Sequence, residues 1–305
     1  TTYSYNVNLS TLKIGANGDY TVKSSEELYT KSDMQSKLIS AYEETSRGKK
    51  TLIFNNGIHT SRHVYEIFKR AGYKVNYIDN TNTKEERKYI LKWFKNTPDA
   101  ILTSVGILTT GFDEPSIESI IINRATKSMA LYFQMIGRGS RIIDDKNEFT
   151  VLDLGNNVSR FGLWTDDVDW QLIFRNPSYF LENLISDEEI ERNFKYEMPE
   201  SIKAMFANSS DFDFDVKKEY HAAIDNGLKS KAVLEKSIEQ HAKICAENSE
   251  DVFDAHILSR ELHDEIEYRI KQYSFCILKS SKNYLKWLEE DYKRQLRVRI
   301  SMLFR

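Results

Sequence analysis

Residues 101–115 read ILTSVGILTTGFDEP, a short apolar run that passes into a loop rich in hydroxyl side chains and glycine. Short apolar runs of similar length recur at 51–54, 74–78, 100–103, 118–122 and 149–153, with helical patterns between most of them. Strands that are apolar on both faces and alternate with helices are typical of a parallel sheet covered on both sides. The first half is therefore predicted to be an α/β domain whose function lies in the loops that leave the strands' carboxyl ends.

Helix signals fall between these runs. Thr60 or Ser61 is a candidate N-cap for a helix that Gly72 stops, and Thr83 with Glu86 forms a capping-box pattern. A third, short helix is predicted over residues 128–137. These signals agree with the alternation of strands and helices.

The carboxyl-terminal part differs in composition. Eleven of the twelve glycines precede residue 163, and all four prolines precede residue 200. Long helices with few sharp turns are therefore expected at the end of the chain. Amphipathic patterns predict helices over 228–245 and 252–278, and a last basic helix runs from about Leu285 to Leu303. Its basic face is either a nucleic-acid contact or a solvated face of a helical bundle.

Bulk properties exclude several classes of protein. The net charge of −3 gives no overall basic field. Two cysteines cannot build a disulfide framework or a four-cysteine zinc site, and the six scattered histidines indicate no metal site. No apolar run approaches the roughly 18 residues of a membrane span. We expect a cytoplasmic protein with no membrane partner, and the opening residues TTYSYNVNLS resemble the interior of a longer chain.

Charge is distributed unevenly along the sequence. Residues 181–278 carry 12 basic against 22 acidic side chains, a net charge of −10. Residues 279–305 carry 8 against 3, a net charge of +5. The small net charge of the whole chain is therefore compatible with a local basic surface.

The segment QMIGRGSR at residues 134–141 carries the sharpest chemical signal. Arg138 and Arg141 are three residues apart and are predicted to share one side of a helical turn, with Gly137 and Gly139 allowing a close backbone approach. Paired guanidinium groups suit a polyphosphate because each can donate two parallel hydrogen bonds. A solvated surface pair is the alternative for two arginines alone.

Two other loops are weaker signals. In the loop of residues 101–115, hydroxyl groups and free backbone N–H groups can hold a phosphate backbone, and Asp113 can accept from a ribose hydroxyl or orient an arginine. The segment LIFNNGIHTS at 52–61 leads from a strand to a helix N-terminus, where anions are favoured. Each loop taken alone is also compatible with a purely structural role.

Taken in order, the three segments resemble motifs IV, V and VI of the second RecA-like domain of superfamily 2 helicases. LIFNN resembles motif IV, the 101–115 segment resembles motif V, and QMIGRGSR fits the motif VI pattern Gln-x-x-Gly-Arg-x-x-Arg. Further likeness to the RadD/XPB-like branch of DNA helicases lies at Gly18–Tyr20, at Arg124, Thr126 and Ser128, and at Asp153 and Asn157–Gly162.

The resemblance implies a division of the chain and a role for each motif. It implies an interdomain connector at 1–30 and a RecA-like lobe at 31–165, whereas the change in composition and the helical periodicity predict a linker at 166–200 and a helical extension at 201–305. The implied catalytic residues are Arg138, Arg141 and Gln134. The implied ATP-binding residues are Gly111, Asp113 and Gly137. The implied nucleic-acid-binding residues are Asn55, Thr60, Thr103, Ser104, Thr109 and Thr110.

In such a motor, ATP and Mg²⁺ lie mainly in a first RecA-like lobe, and the second lobe supplies arginine fingers. The 305 residues contain no Gly-x-x-x-x-Gly-Lys-Ser/Thr phosphate loop and no Asp-Glu-x-His box. The resemblance therefore implies an ATP-dependent DNA helicase whose first lobe is a partner, and the chain alone is expected to be inactive. Two positions depart from the pattern of this branch. The branch often has Asp at the position of Gly106, and it usually has His at the position of Phe161.

Alternatives remain open at this point. The same motifs suit the motor of a restriction or phage-defence complex, and a non-catalytic nucleic-acid-binding module is a second alternative. An RNA helicase is less favoured because Tyr132 and Phe133 precede Gln134, where DEAD-box proteins have His-Arg. A dinucleotide-binding oxidoreductase is disfavoured because no Gly-x-Gly-x-x-Gly follows the first strand. The sequence does not give the oligomeric state.

Overall fold

The computed structural model describes residues 1–109, 112–141, 146, 148–176, 184–206, 212–277 and 281–304. The chain divides into two compact units, Thr1–Phe194 and Lys195–Arg305. The division falls inside the region predicted as a linker, because residues 184–194 belong to the first unit. Among the described residues, no helix combines the length and the apolar character needed to cross a bilayer.

Within the described residues, the first unit contains a parallel six-stranded sheet in the order β1-β6-β5-β2-β4-β3. Its strands are β1 (Thr2–Ser4), β2 (Thr51–Asn55), β3 (Val75–Ile78), β4 (Ile101–Val105), β5 (Ser119–Asn123) and β6 (Thr150–Asp153). Every strand is parallel to its neighbours, so all the carboxyl ends meet at one edge.

Helices cover both faces of this sheet. The helices of the first unit are α1 (Val22–Tyr29), α2 (Ser32–Thr45), α3 (Ile58–Arg70), α4 (Lys84–Asn96), α5 (Met129–Ile136), α6 (Asn157–Phe161), α7 (Trp170–Arg175) and α8 (Asp187–Asn193). Successive residues of a strand point to opposite faces of the sheet and pack in different hydrophobic clusters. Ile53 packs in one cluster with residues of α2 and α3, whereas Leu52 and Phe54 pack with residues of α4 and α5. This arrangement is the α/β, RecA-like fold predicted from the sequence.

Most predicted elements of the first unit are confirmed, with shifts of one or two residues at their ends. The capping box of Thr83 and Glu86 is present at the start of α4. The predicted start of α3 is wrong: the helix begins at Ile58 and not after Thr60 or Ser61. The edge strand β1 was not predicted and lies in the segment assigned to a connector.

The second unit is helical, as predicted. Its helices are α9 (Glu200–Lys203), α10 (Val216–Asp225), α11 (Ala232–Glu247), α12 (Val252–Glu261), α13 (His263–Cys276) and α14 (Lys282–Leu303). The predicted apolar stripe of the last helix lies in the core, where Leu288, Tyr292, Leu296 and Ile300 are at most 2% exposed. Leu303, at the end of the stripe, is exposed.

A buried polar network runs through this helical core. The Arg269 side chain is fully buried and donates from Nε to Glu265 Oε1 at 2.6 Å and from Nη1 to Ser237 Oγ at 2.9 Å. Tyr292 Oη lies 2.7 Å from Ser237 Oγ and 2.9 Å from His241 Nδ1. The network therefore links α11, α13 and α14 by hydrogen bonds inside an otherwise apolar core.

We expect the stability of the second unit to fall at acidic pH because of His241. Burial, and then the nearby Arg269 cation, hold the pKa of His241 well below its ordinary value of 6.5. The unfolded chain therefore binds the extra proton first as the pH falls below 6.5. The contribution of neutral His241 to the unfolding free energy should be complete above that pH. Below it, the unfolding free energy should fall by at most about 1.4 kcal/mol per pH unit.

The measurement is urea unfolding at several pH values between about 7.5 and 5.5, the range in which an ordinary histidine titrates. It follows tryptophan fluorescence of the 305-residue chain, in which Trp287 reports on the second unit and the other three tryptophans report on the first. The His241→Gln variant is the control and should show a smaller difference in unfolding free energy across this range. An equal difference in both proteins would contradict the assignment to His241.

Candidate functional site

The carboxyl ends of β2, β4 and β5 are joined by a chain of side-chain hydrogen bonds. Asn123 Nδ2 donates to Asn55 Oδ1 at 2.8 Å, and Asn55 Nδ2 donates to Thr103 Oγ1 at 2.7 Å. Ser61 Oγ on α3 lies 2.9 Å from Thr103 Oγ1. Asn55 and Asn123 are direct register partners in the sheet. This network fixes the ends of β2 and β4, which the motif IV and motif V segments leave, to the end of the neighbouring strand β5.

Several residues predicted to contact nucleic acid are enclosed by protein. Asn55, Thr60, Thr103 and Ser104 are at most 1% exposed. Asn55 and Thr103 bond to each other, and Ser104 Oγ donates to the Ile53 carbonyl at 3.4 Å. Thr60 Oγ1 has no hydrogen-bond partner among the residues that the structure describes. The placement of these side chains does not support direct phosphate contact. It supports a positioning role, because they hold the strand and helix ends in place.

The loop after β4 begins with a turn at Gly106, whose φ of 68° lies in the left-handed region. A short 3₁₀ turn, Ile107–Thr109, follows it, and Thr109 Oγ1 donates to the Gly106 carbonyl at 2.8 Å. Of the two residues of this loop predicted to contact nucleic acid, Thr109 and Thr110, the structure describes Thr109. Thr110 and Gly111 lie outside the described residues.

Arg138 fastens the motif VI segment to the loop after β4. It follows the end of α5 at Ile136, so the two arginines do not share a helical turn as predicted. Its Nη1 donates to the Phe112 carbonyl at 2.6 Å and its Nη2 to the Thr109 carbonyl at 2.7 Å. Burial, and then the nearby Arg141 cation, lower the pKa of Arg138, although an arginine stays charged at neutral pH.

Arg141 is held in a different way from Arg138. Its Nη1 forms an ion pair with Asp113 Oδ1, and the two side chains are 40% and 64% exposed. An exposed ion pair of this kind contributes only about 0–1 kcal/mol. Arg141 can therefore exchange its carboxylate partner for another anion at little cost, whereas Arg138 is bound to the backbone of its own lobe.

The other motif VI residues have distinct surroundings. Gln134 is exposed on α5, and Gly137 caps the carboxyl end of that helix. At Gly139, an added Cβ would lie 2.7 Å from Ile120 Cγ1 and 2.7 Å from a Phe149 ring carbon. The close backbone approach predicted for the glycines is therefore present at Gly139, where the backbone lies against the side chains of Ile120 and Phe149.

Lys146 supports this loop and was not predicted. Its buried Nζ donates to the carbonyls of Pro115 at 3.0 Å, Gly139 at 2.6 Å and Arg141 at 3.0 Å. Burial lowers the pKa of Lys146, and the Glu118 carboxylate opposes this shift. One ammonium group therefore joins the backbones of the motif V and motif VI loops. No sequence signal marks this lysine, since its partners are backbone carbonyls, which carry no residue-specific pattern.

Residues of the proposed connector also meet this edge. Asp19 Oδ2 accepts from Thr126 Oγ1 at 2.7 Å and from Arg124 Nη2 at 3.4 Å, and its Oδ1 accepts from the Lys127 N–H at 2.8 Å. The Gly18–Tyr20 segment and the Arg124–Ser128 segment, which sequence reasoning singled out separately, therefore bind each other through one carboxylate.

Asp187 extends this contact to α8. The carboxylate accepts from Tyr20 Oη at 2.7 Å and from Lys127 Nζ at 3.1 Å, and it forms an ion pair with the buried Arg160. Burial raises the pKa of Asp187, but the hydrogen bonds and charges of Tyr20, Arg160 and Lys127 outweigh it and lower that pKa overall. This pairing explains why residues 184–194 belong to the first unit.

Comparison with known proteins finds a family that is similar to the segment carrying these motifs. The family described as helicase conserved C-terminal domain matches residues 30–143. IRC3 of Saccharomyces cerevisiae, which carries the name of an ATP-dependent helicase, is 35% identical over 105 residues, covering 34% of this chain and 15% of its own length. A 51.5 kDa protein of a Lactococcus phage is 27% identical over 168 residues, covering 55% of this chain and 36% of its own.

A third relative is the type I restriction enzyme EcoKI endonuclease subunit of Escherichia coli. It is 30% identical over 185 residues, which cover 55% of this chain and 15% of the subunit. The chain thus spans between 15% and 36% of the length of these three relatives. Residues 30–143 are therefore similar to the helicase conserved C-terminal domain, and the parallel sheet and the order of the motif loops agree with this match.

Proposed function

We propose that this chain is the second motor lobe of an ATP-dependent DNA helicase or translocase of the RadD/XPB-like branch. The observation that carries this proposal is the contrast between the two motif VI arginines. Arg138 is committed to two carbonyls of its own lobe, and Arg141 is exposed on a weak ion pair with Asp113. A guanidinium held ready at a sheet edge suits an anion that arrives from a facing lobe.

The residues of this edge fit the phosphate side of ATP. Arg141, and Arg138 beside it, supply the positive charge that a transferring phosphoryl group needs. We assign Mg²⁺ and most of the ATP contacts to a first RecA-like lobe, because the 305 residues contain no phosphate-loop sequence. Asp113 then orients Arg141 while the cleft is open, and Gln134 and Gly137 lie on the same segment. Gly111 remains a candidate ATP contact.

The proposed working cycle follows from this arrangement. ATP bound by the first lobe draws the two lobes together, and Arg141 moves from Asp113 to the γ-phosphate. Hydrolysis removes that anion, so that the cleft can reopen. The hydrogen bonds of Arg138 and Lys146 keep the motif V and motif VI loops together and transmit this change to the loop after β4, where Thr109 and Thr110 are candidate backbone contacts.

DNA is the nucleic acid that the relatives favour, since one of them is named as a restriction endonuclease subunit. The same likeness, which covers 55% of this chain, supports the second candidate, the motor of a restriction or phage-defence complex. A non-catalytic module is less favoured because both motif VI arginines are present and held at one edge. Cys245 and Cys276 form no disulfide bond, which suits the reducing cytoplasm.

The proposal predicts that ATP hydrolysis requires both lobes. The 305-residue chain should show no ATP turnover with or without DNA, whereas the full-length protein should hydrolyse ATP and be stimulated by DNA. A coupled assay of ADP release measures this, with RNA of the same sequence as the comparison. Turnover by the 305-residue chain would contradict the division of labour, and stimulation by RNA alone would contradict the choice of DNA.

A further inference from the structure

A cleft on the second unit has a basic lining. It lies among α12, α13 and α14 and has a volume of about 300 Å³, at the lower end of the usual range for ligand sites. The lining residues are Ser259, Arg260, His263, Lys293, Leu296 and Arg297. This set includes three formally positive side chains and the imidazole of His263, and it contains no carboxylate and no Phe, Tyr or Trp ring.

The cationic side chains of this cleft differ in their hydrogen bonds and ion pairs. Lys293 Nζ donates to His263 Nδ1 at 2.8 Å and to Glu289 Oε1 at 2.5 Å. Within the described residues, the guanidinium groups of Arg260 and Arg297 have neither a hydrogen bond nor an ion pair, and both side chains are exposed. The cleft therefore holds two guanidinium groups that have no protein partner.

Other arginines of α14 differ from this pair. Arg294 forms an ion pair with Asp291, and Arg299 lies 3.4 Å from Glu239. The unit as a whole is acidic before residue 279, so unpaired arginines in it are not a consequence of scarce carboxylates. The two unpaired guanidinium groups line the same cleft, which is the arrangement that a shared anionic ligand would stabilise.

We propose that this cleft binds phosphate groups of a nucleic-acid backbone, an inference that rests on the proposed function. Arginine donates two parallel hydrogen bonds to phosphate oxygens, and neutralised phosphates release counterions. The lining has no Phe, Tyr or Trp ring, and contacts from arginine to phosphate carry no sequence information, so the contact is independent of sequence. Because Arg260 and Arg297 are exposed, a strand can pass across them without entering an enclosed pocket.

The test measures the binding of fluorescein-labelled DNA to the 305-residue chain by anisotropy, between about 50 and 200 mM salt. The double variant Arg260→Gln with Arg297→Gln should bind at least about tenfold more weakly at the lowest salt. Its salt slope should be smaller by about 1.4 for a single strand and about 1.8 for a duplex, as expected for the loss of two phosphate contacts.

The matched control is Arg294→Gln with Arg299→Gln, which removes two charges from α14 outside the cleft. It should change the affinity by no more than about twofold, in keeping with charges that make no phosphate contact. Equal losses in both double variants, or no DNA binding by the unaltered chain at the lowest salt, would overturn the proposal. Circular dichroism confirms that each variant is folded.

Two further measurements separate the alternatives. If inorganic phosphate binds the chain through Arg260 and Arg297 while DNA binding is unchanged in the double variant, the cleft serves a free anion and the proposal fails. The proposed function is tested separately by the ATP turnover of the Arg141→Ala full-length protein. That turnover does not depend on the cleft, so the failure of one proposal is distinguishable from the failure of the other.

Discussion

Replacing Arg141 by alanine in the full-length protein should lower DNA-stimulated ATP turnover by about 10³-fold or more, the range in which arginine fingers act. The reason is that Arg141 is the guanidinium of this edge whose carboxylate partner is exposed and exchangeable. Affinity for DNA should change little, because Arg141 acts on the nucleotide. Steady-state kinetics with saturating DNA measures the effect.

The Arg138→Ala variant provides a sharper comparison. It should also lower turnover, but it removes two hydrogen bonds to the carbonyls of Thr109 and Phe112. Each such bond of a charged donor contributes about 1.5–3 kcal/mol, so the thermal midpoint of the first unit should fall as well. In Arg141→Ala, which loses only an exposed ion pair, that midpoint should stay nearly unchanged.

Arg47→Ala is the matched control. Arg47 is exposed and lies just before β2, at the amino edge of the same sheet. Its loss should leave both turnover and thermal midpoint unchanged. If Arg47→Ala and Arg141→Ala lower turnover equally, the effect is one of general charge, and the role given to Arg141 is wrong.

Replacing Arg269 by alanine should destabilise the second unit by about 3–5 kcal/mol, because one partner of a buried ion pair is removed. Arg269 is fully buried, and its Glu265 partner is 7% exposed. Burial raises the pKa of Glu265, and Arg269 opposes this shift, so the variant leaves a carboxylate that water cannot reach. Urea unfolding followed by Trp287 fluorescence measures the loss.

Two variants check the explanation for Arg269. Arg294→Ala removes the same charge from a side chain that is 74% exposed, and it should cost no more than about 1 kcal/mol. The double variant Arg269→Met with Glu265→Leu should recover part of the loss, because an apolar pair leaves no buried charge. A loss below about 1 kcal/mol in Arg269→Ala would show that this ion pair is not what stabilises the core.

The elements that sequence reasoning identified are those with local signals. Five strands follow from continuous apolar runs, and α4 follows from its capping box at Thr83 and Glu86. The start of α3 depends on a distant residue, since Glu26 of α1 accepts from the His59 N–H at 2.9 Å. Strand β1 has only three residues, two of them exposed, and carries no apolar pattern.

In the candidate site, too, some features follow from local sequence signals and others depend on distant contacts. Sequence reasoning offered Asp113 as a residue that can orient an arginine, and in the structure it pairs with Arg141. It was not predictable that Arg138 would be bound by carbonyls and Arg141 by a carboxylate. That difference depends on how the loop after β4 folds. The link that Lys146 makes to the motif V loop is also a long-range contact, since its partner carbonyl belongs to Pro115.

The measurement that tests the account most directly is the affinity of the full-length protein for ADP with aluminium fluoride, which imitates the transferring phosphoryl group. If Arg141 acts on that group, Arg141→Ala should weaken binding of the analogue by about the factor lost in turnover, on the order of 10³. Affinity for ADP alone should stay within about threefold, since this nucleotide lacks the γ-phosphate. Equal weakening of both ligands, or of neither, would contradict the central claim that Arg141 is a finger for ATP bound by a facing lobe.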